Sequence, residues 1–160
     1  MEQEKKSVKI IPYEDSYRDA FRDINYQWLT QYFEVTEYDQ PFFENPRKEI
    51  LEKKGYIFLA SLENEIVGSV ALERITDKEY TLAKMGVKSG FQGLRIGQLL
   101  MDKAVEKAEE LNLESLVLYT NHQLVQALNL YSKYGFRFER FENPLVERAT
   151  IKMVKKLVLP

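Results

Sequence analysis

Apolar positions change their spacing several times along the chain, and each change marks an expected element. Residues 8–11 form a short apolar run that predicts a strand, after which Tyr17, Phe21, Ile24 and Trp28 recur at close to helical spacing within residues 14–33. Pro41 and Pro46 punctuate the next stretch, where residues 44–53 predict a shorter helix ended by Gly55. Residues 56–60, 66–74 and 80–87 have strand character and are separated by the turns Glu63-Asn64-Glu65 and Thr76-Asp77-Lys78. Connections this short join antiparallel strands into a meander.

The period changes again after Val87. Ile96, Leu99, Leu100, Ala104, Ala108 and Leu111 recur at three and four positions, with Lys103, Glu106, Lys107 and Glu110 opposite, which predicts an amphipathic helix. Residues 116–119 predict a buried strand, and Asn121 is the expected N-cap of a helix that runs through Tyr134 and is closed by Gly135. Phe136 and Phe138 alternate with Arg137 and Glu139, and Ile151 and Met153 flank Lys152, so two more strands complete the pattern. No repeat, low-complexity tract or linker interrupts it. A length of 160 residues with 44% hydrophobic and 30% charged positions predicts one globular domain over residues 1–160.

Composition then narrows the chemistry. With 23 basic and 25 acidic residues the formal charge is -2, which argues against nucleic acid as a partner and leaves a small cationic substrate open. The absence of cysteine excludes disulfides, thiolate metal sites and a cysteine nucleophile, and a single histidine, His122, argues against a histidine-built zinc centre, so no metal is expected. Met1 to Lys6 are mostly charged and lead into no long apolar segment, so neither a signal peptide nor membrane association is expected, and a cytoplasmic location follows.

The candidate chemistry lies in Gln92-Gly93-Leu94-Arg95-Ile96-Gly97, between the strand ending at Val87 and the helix opening near Ile96. Main-chain N–H groups at a helix start carry partial positive charge, and a loop without Cβ atoms at Gly93 and Gly97 can close around phosphate oxygens. Gly90, Gly93 and Gly97 match neither G-x-G-x-x-G nor the P-loop spacing, so glycine placement alone is compatible with ordinary turn chemistry.

Two motifs in order decide between these readings. Gln92 and Gly97 match the ends of the Q/R-x-x-G-x-G/A loop that binds acyl-CoA pyrophosphate in the GNAT acyltransferase superfamily, and Asn121, Ala127, Tyr131 and Tyr134-Gly135-Phe136 resemble its Asn…Ala-x-x-x-Tyr-x-x-x-Gly-Phe segment. Residues 67–72, 82–87 and 151–153 extend the resemblance, which is specific over about residues 55–138. Arg95 stands where the family usually has glycine, and Ser89 where many members have proline.

The resemblance implies an α/β (α+β) fold: a mixed, mostly antiparallel central sheet with a parallel splay between the fourth and fifth strands, flanked by helices. It implies acetyl-CoA as cosubstrate, with the pantetheine arm held by main-chain groups near Met85, Gly86 and Val87 and the pyrophosphate by Gln92, Gly93, Leu94, Arg95, Ile96, Gly97 and Gln98, and with Asn121 and Tyr131 beside it. Arg95 is either a cation for a CoA phosphate or a solvent-exposed side chain. A bulge in the strand over residues 80–87, with Gly86 as its candidate position, would free an N–H for the oxyanion.

Tyr131 matches the family tyrosine that points at the thioester sulfur, which implies a general acid. A phenol of pKa about 10 donating to a thiolate of pKa about 8.5 moves the proton uphill by about 2 kcal/mol. Glu73, at the end of a central strand, and Glu34, after the first helix, are the candidate bases; related sequences often place glutamate where this chain has Thr81, so no base carries over directly, and His122 is expected to do local structural work. Trp28, Tyr32, Phe33, Tyr38, Phe42 and Phe43 are either core or acceptor pocket, with helical spacing favouring packing for Trp28 and Tyr32 and a substrate wall open, beside plain core packing, for Phe42 and Phe43. The expected activity is transfer of an acetyl group to a primary amine, on a small molecule, peptide or protein, by direct attack in a ternary complex. A CoA-binding module without turnover and a binder of another nucleotide are the alternatives. An exposed strand edge or the aromatic stretch would support a homodimer.

Overall fold

The computed structural model describes residues 7–141 and 147–157, so Met1 to Lys6 lie outside the described residues. Strands β1 (Lys9–Pro12), β2 (Tyr56–Leu62), β3 (Glu65–Arg74), β4 (Glu79–Val87), β5 (Ser115–Thr120), β6 (Arg137–Glu139) and β7 (Ile151–Lys156) form one seven-stranded sheet in the order β1-β2-β3-β4-β5-β7-β6. Every neighbouring pair is antiparallel except β4 and β5. That exception follows from the crossover helix α3 (Ile96–Glu110), because a parallel pair cannot be joined by a tight turn. Ser115 Oγ donates to Glu79 Oε2 at 2.6 Å where the parallel pairing begins.

Strand alternation divides the core into two layers. Phe58, Ala60 and Leu62 of β2 pack with Leu100, Met101, Ala104 and Ala108 of α3, while Ile57 and Leu59 pack with Phe21 and Ile24 of α1 (Arg18–Tyr32). The helix over α3 ends where Asn112 adopts φ 55 and the Leu113 N–H reaches back to the Ala108 carbonyl at 3.1 Å.

Local chemistry shifts three expected boundaries. The helix expected over residues 44–53 is instead a short α2 (Gln40–Glu44), with Pro41 in its first turn, followed by one wide turn over Arg47–Leu51 that the Glu52 N–H closes onto the Arg47 carbonyl at 2.7 Å. Pro46 lacks the N–H needed for one continuous helix. Helix α4 (Val125–Lys133) has Leu124, not Asn121, at its N-cap; the Asn121 Oδ1 accepts from the Gln123 N–H at 2.9 Å, so its side chain shapes the preceding turn. Phe136 is buried ahead of β6, whereas Phe138 within it is 66% exposed. Among the described residues no helix is long and apolar enough to cross a membrane.

Candidate active site

Strands β4 and β5 pair only through Glu79 with Ser115, Tyr80 with Leu116 and Thr81 with Val117. Beyond that point β4 continues to Val87 and β5 to Thr120 unpaired with each other, so the facing main-chain edges open onto a gap. A bulge lies at the gap. Only Val70 separates Ser69 from Ala71 on β3, but Lys84 and Met85 separate their partners Ala83 and Gly86 on β4. The extra residue bends β4, and Lys84 takes the left-handed φ of 51.

The bulge is therefore at Lys84 and Met85 and not at Gly86. A buried polar chain fixes it: Ser69 Oγ donates to the Lys84 carbonyl at 2.7 Å, and Asn25 Nδ2 donates to Ser69 Oγ at 3.0 Å and to the Phe21 carbonyl at 2.9 Å. Trp28 Nε1 donates to Asn25 Oδ1 at 3.1 Å, and its ring crosses β4 at Gly86, where a Cβ would come within 2.8 Å of Trp28 Cδ1. Gly86 is there to let the indole approach.

Side chains also brace the loop before α3. Gln27 Oε1 accepts from the Ser89 N–H and Gln92 Oε1 from the Gly90 N–H, both at 2.9 Å. Gly93 has φ 86 and Arg95 has φ 61 and ψ 22, so both occupy the left-handed region. Arg95 is the N-cap but makes no side-chain cap bond, and the Leu99 N–H returns to the Arg95 carbonyl at 3.1 Å. The first N–H groups of α3 thus lack a side-chain cap at the gap. Gly97 brings this turn against its neighbours, since a Cβ would lie 3.2 Å from Leu130 Cδ2 and 3.7 Å from Met85 Cε.

These features open into one cleft of about 1310 Å³. Met85, Gly86 and Val87 line it from β4, and Gln92, Gly93, Arg95, Ile96, Gly97 and Gln98 from the loop and α3. Asn121, Tyr131 and Glu73 complete the expected residues that the fold brings together. Two others are left out: Leu94 is 50% exposed and Glu34 is exposed beyond α1, and neither is in the lining. Asn121 is buried and also donates through Nδ2 to the Arg148 carbonyl at 2.8 Å, tying the start of α4 to the chain before β7.

Burial pushes the Tyr131 phenol up to about 12, and its ring meets Phe136 edge-on at 6.0 Å. Tyr134 sits between α4 and α3, its hydroxyl 2.5 Å from Asp102 Oδ1 and 3.0 Å from the Gln98 carbonyl; burial first, then the Asp102 bond, pushes it up to about 12. Glu73 accepts from Lys84 Nζ at 3.0 Å, and that ammonium stands 3.9 Å from the Phe42 ring centre. The aromatic stretch divides: Phe43 packs against Phe21 and Tyr26 at 5.2 Å in each case, whereas Tyr32 is 47% exposed at the cleft. Tyr32, expected to pack, instead lines the cleft; of the two candidate wall residues, Phe43 borders the cleft from the core and Phe42 stands outside the lining, over Lys84.

Asp39 and Arg148 were not singled out by sequence. Arg148 Nη1 donates to Asp39 Oδ2 at 2.9 Å and Nη2 to Oδ1, and the Thr36 N–H and hydroxyl reach the same carboxylate at 2.9 Å. Burial opposes the Asp39 charge, but the Arg148 and Thr36 bonds outweigh it and hold its pKa below the ordinary carboxylate value. No local pattern relates residues 109 positions apart. Asn25 did leave a signal, a polar residue in the apolar stripe of Phe21, Ile24 and Leu29. Among the described residues no group of three His, Cys, Asp or Glu could hold a metal ion.

A mixed sheet parted between adjacent parallel strands, with an open helix start beside the parting, offers main-chain partners to an extended ligand that carries phosphate. The model of the acetyltransferase (GNAT) family matches residues 22–136, and the chain belongs to that family: it is an acyl-CoA-dependent N-acetyltransferase. An uncharacterized N-acetyltransferase of Bacillus subtilis is 26% identical over 109 residues, 66% of this chain and 70% of that protein. A GNAT acetyltransferase of Staphylococcus aureus superposes with a TM-score of 0.87 at 26% identity, covering 95% of this chain and all of that one (100%). The PaiA N-acetyltransferase of Thermoplasma acidophilum, solved with coenzyme A, shares the fold at a TM-score of 0.76 and 18% identity over 94% of this chain and 99% of that one.

Proposed function

We propose that the chain, acting as one catalytic domain, transfers the acetyl group of acetyl-CoA to a primary amine by direct attack in a ternary complex. The observation that carries this reading is the parting of β4 and β5 next to the uncapped first turn of α3. The gap offers extended main-chain partners for a pantetheine amide chain at Met85, Gly86 and Val87, and the helix start offers N–H groups for the pyrophosphate. Arg95 adds a positive charge at the same end, and the bulge at Lys84 and Met85 is the place where an N–H can leave the ladder to meet the oxyanion.

The amine nitrogen attacks the thioester carbon, the C–S bond breaks, and the nitrogen loses a proton while the sulfur gains one. With the Tyr131 phenol near 12, complete transfer to a thiolate of pKa about 8.5 is uphill by about 5 kcal/mol. Tyr131 therefore acts as a hydrogen-bond donor to the departing sulfur, and the proton that neutralises the thiolate comes from the ammonium formed on attack, through water. Glu34 is exposed and outside the cleft lining, which favours Glu73 over it as a base. Glu73 lines the cleft in its ion pair with Lys84 and relays that proton only if the pair opens. Calorimetry tests the cofactor class. Acetyl-CoA and CoA are expected to bind competitively and far more tightly than ATP or NAD; tighter ATP binding at this cleft would overturn the reading.

A further inference from the structure

Resting on the reading of the cleft as an amine-acetylation site, we propose that the acceptor carries a carboxylate near its amine and that Arg148, with Lys152, recognises it. The chain as a whole is acidic, with a formal charge of -2, yet its cleft lining is basic: Arg74, Lys84, Arg95, Arg140, Arg148 and Lys152 stand against Asp39 and Glu73. Both acidic residues already hold a cation. Glu73 is paired with Lys84 at 3.0 Å and Asp39 with both terminal nitrogens of Arg148. A polyamine would bring a second ammonium to a wall whose carboxylates are committed, and like charge there is costly.

An anionic acceptor meets the opposite situation. The Asp39 fork engages one N–H on each terminal nitrogen of Arg148 and leaves the other donors of the guanidinium in a fixed plane, the geometry that binds a second carboxylate. Asp39 is itself anchored by Thr36, so the guanidinium is oriented before any ligand arrives. Lys152 lies on β7 opposite Tyr119, which also lines the cleft, and its 3.4 Å contact with Glu139 leaves a looser cation on the same side. The cations have a further effect on the reaction: they disfavour the ammonium form of the acceptor and so raise the share of attacking amine without a dedicated base.

The absence of cysteine lets a thiol reagent follow released CoA without background from the protein. Acetyl-CoA is mixed with free amino acids, the methyl esters of the same amino acids, spermidine, and a lysine peptide blocked at both ends. Free amino acids are expected to exceed their esters in kcat/KM by about tenfold or more. Arg148→Lys keeps the charge but loses the fork, and is expected to collapse the acid-to-ester ratio toward one while the acetyl-CoA KM stays within about twofold. Lys152→Met is expected to lower the same ratio less, and serves if the Arg148 variant does not fold. CoA release with spermidine, the esters or the blocked peptide ahead of the amino acids would overturn the acceptor proposal and leave acetyl transfer standing. Acetyl-CoA binding with no release from any amine would overturn both.

Discussion

The Tyr131 hydroxyl is buried on α4, and that burial pushes its pKa up to about 12. A group held so firmly protonated is a poor proton source but a constant hydrogen-bond donor. Tyr131→Phe is expected to lower kcat by about a hundredfold, the scale of one lost transition-state donor, with little change in the acetyl-CoA KM. Unchanged turnover with intact affinity would remove Tyr131 from the mechanism. Arg95 presents a different tension. Its φ of 61 is the left-handed conformation that glycine adopts without cost, which fits the glycine of the matching family motif. Arg95→Gly is expected to relieve about 1 kcal/mol of backbone strain, raising Tm, while weakening acetyl-CoA through loss of the cation. A lower Tm with unaltered affinity would contradict both halves. At this scale the sequence was legible wherever a residue type was demanded by its motif, as at Gln92, Gly97 and Tyr131, and silent where a partner came from far along the chain, as with Asp39 and Arg148.

At the scale of elements, the gap between β4 and β5 depends on the bulge, and the bulge depends on side chains from two other elements. Ser69 on β3 holds the Lys84 carbonyl, and Asn25 on α1 holds Ser69. Ser69→Ala would strand the carbonyl and an Asn25 donor away from water at a cost of about 1–3 kcal/mol. The expected result is a lower Tm together with a fall in kcat larger than the change in acetyl-CoA affinity, read from melting curves and steady-state kinetics. Retention of wild-type kcat would show that the bulge does not position the reacting carbonyl. Periodicity made α3 legible through its one buried face, and near-continuous apolar runs between turns made the β2-β3-β4 meander and β5 legible, because the sheet is covered on both faces. It could not locate the bulge, since one extra residue in a partly buried strand leaves the apolar run over residues 80–87 intact. It also misplaced the start of α4, because Asn121 makes its hydrogen bond within the turn three residues before the helix cap Leu124.

Across the whole molecule, α1 and α2 cover one face of the sheet and α3 the other, and the parted strands lie between them in one cleft. Tyr131 and Tyr134 lie on the α3 side, and both phenols are pushed up to about 12. A raised pKa in the fold means that the protonated form contributes stability fully below the ordinary value near 10 and loses it as pH rises through about 12. Tm is therefore expected to decline across that alkaline window, and the double variant Tyr131→Phe with Tyr134→Phe to decline less steeply; equal slopes in thermal melts would contradict the assignment. The basic lining of the cleft could not be read from a nearly neutral composition, because it arises from which few cations the fold gathers there. The most direct test of the central claim is mass spectrometry on a mixture of the protein, acetyl-CoA and an amino-acid acceptor, sampled during turnover. The expected result is one acetyl group added to the acceptor amine while the mass of the protein stays unchanged throughout. A transient acetyl adduct on the protein that is chased to the acceptor, or loss of acetyl-CoA without acetylated amine, would contradict direct transfer in this cleft.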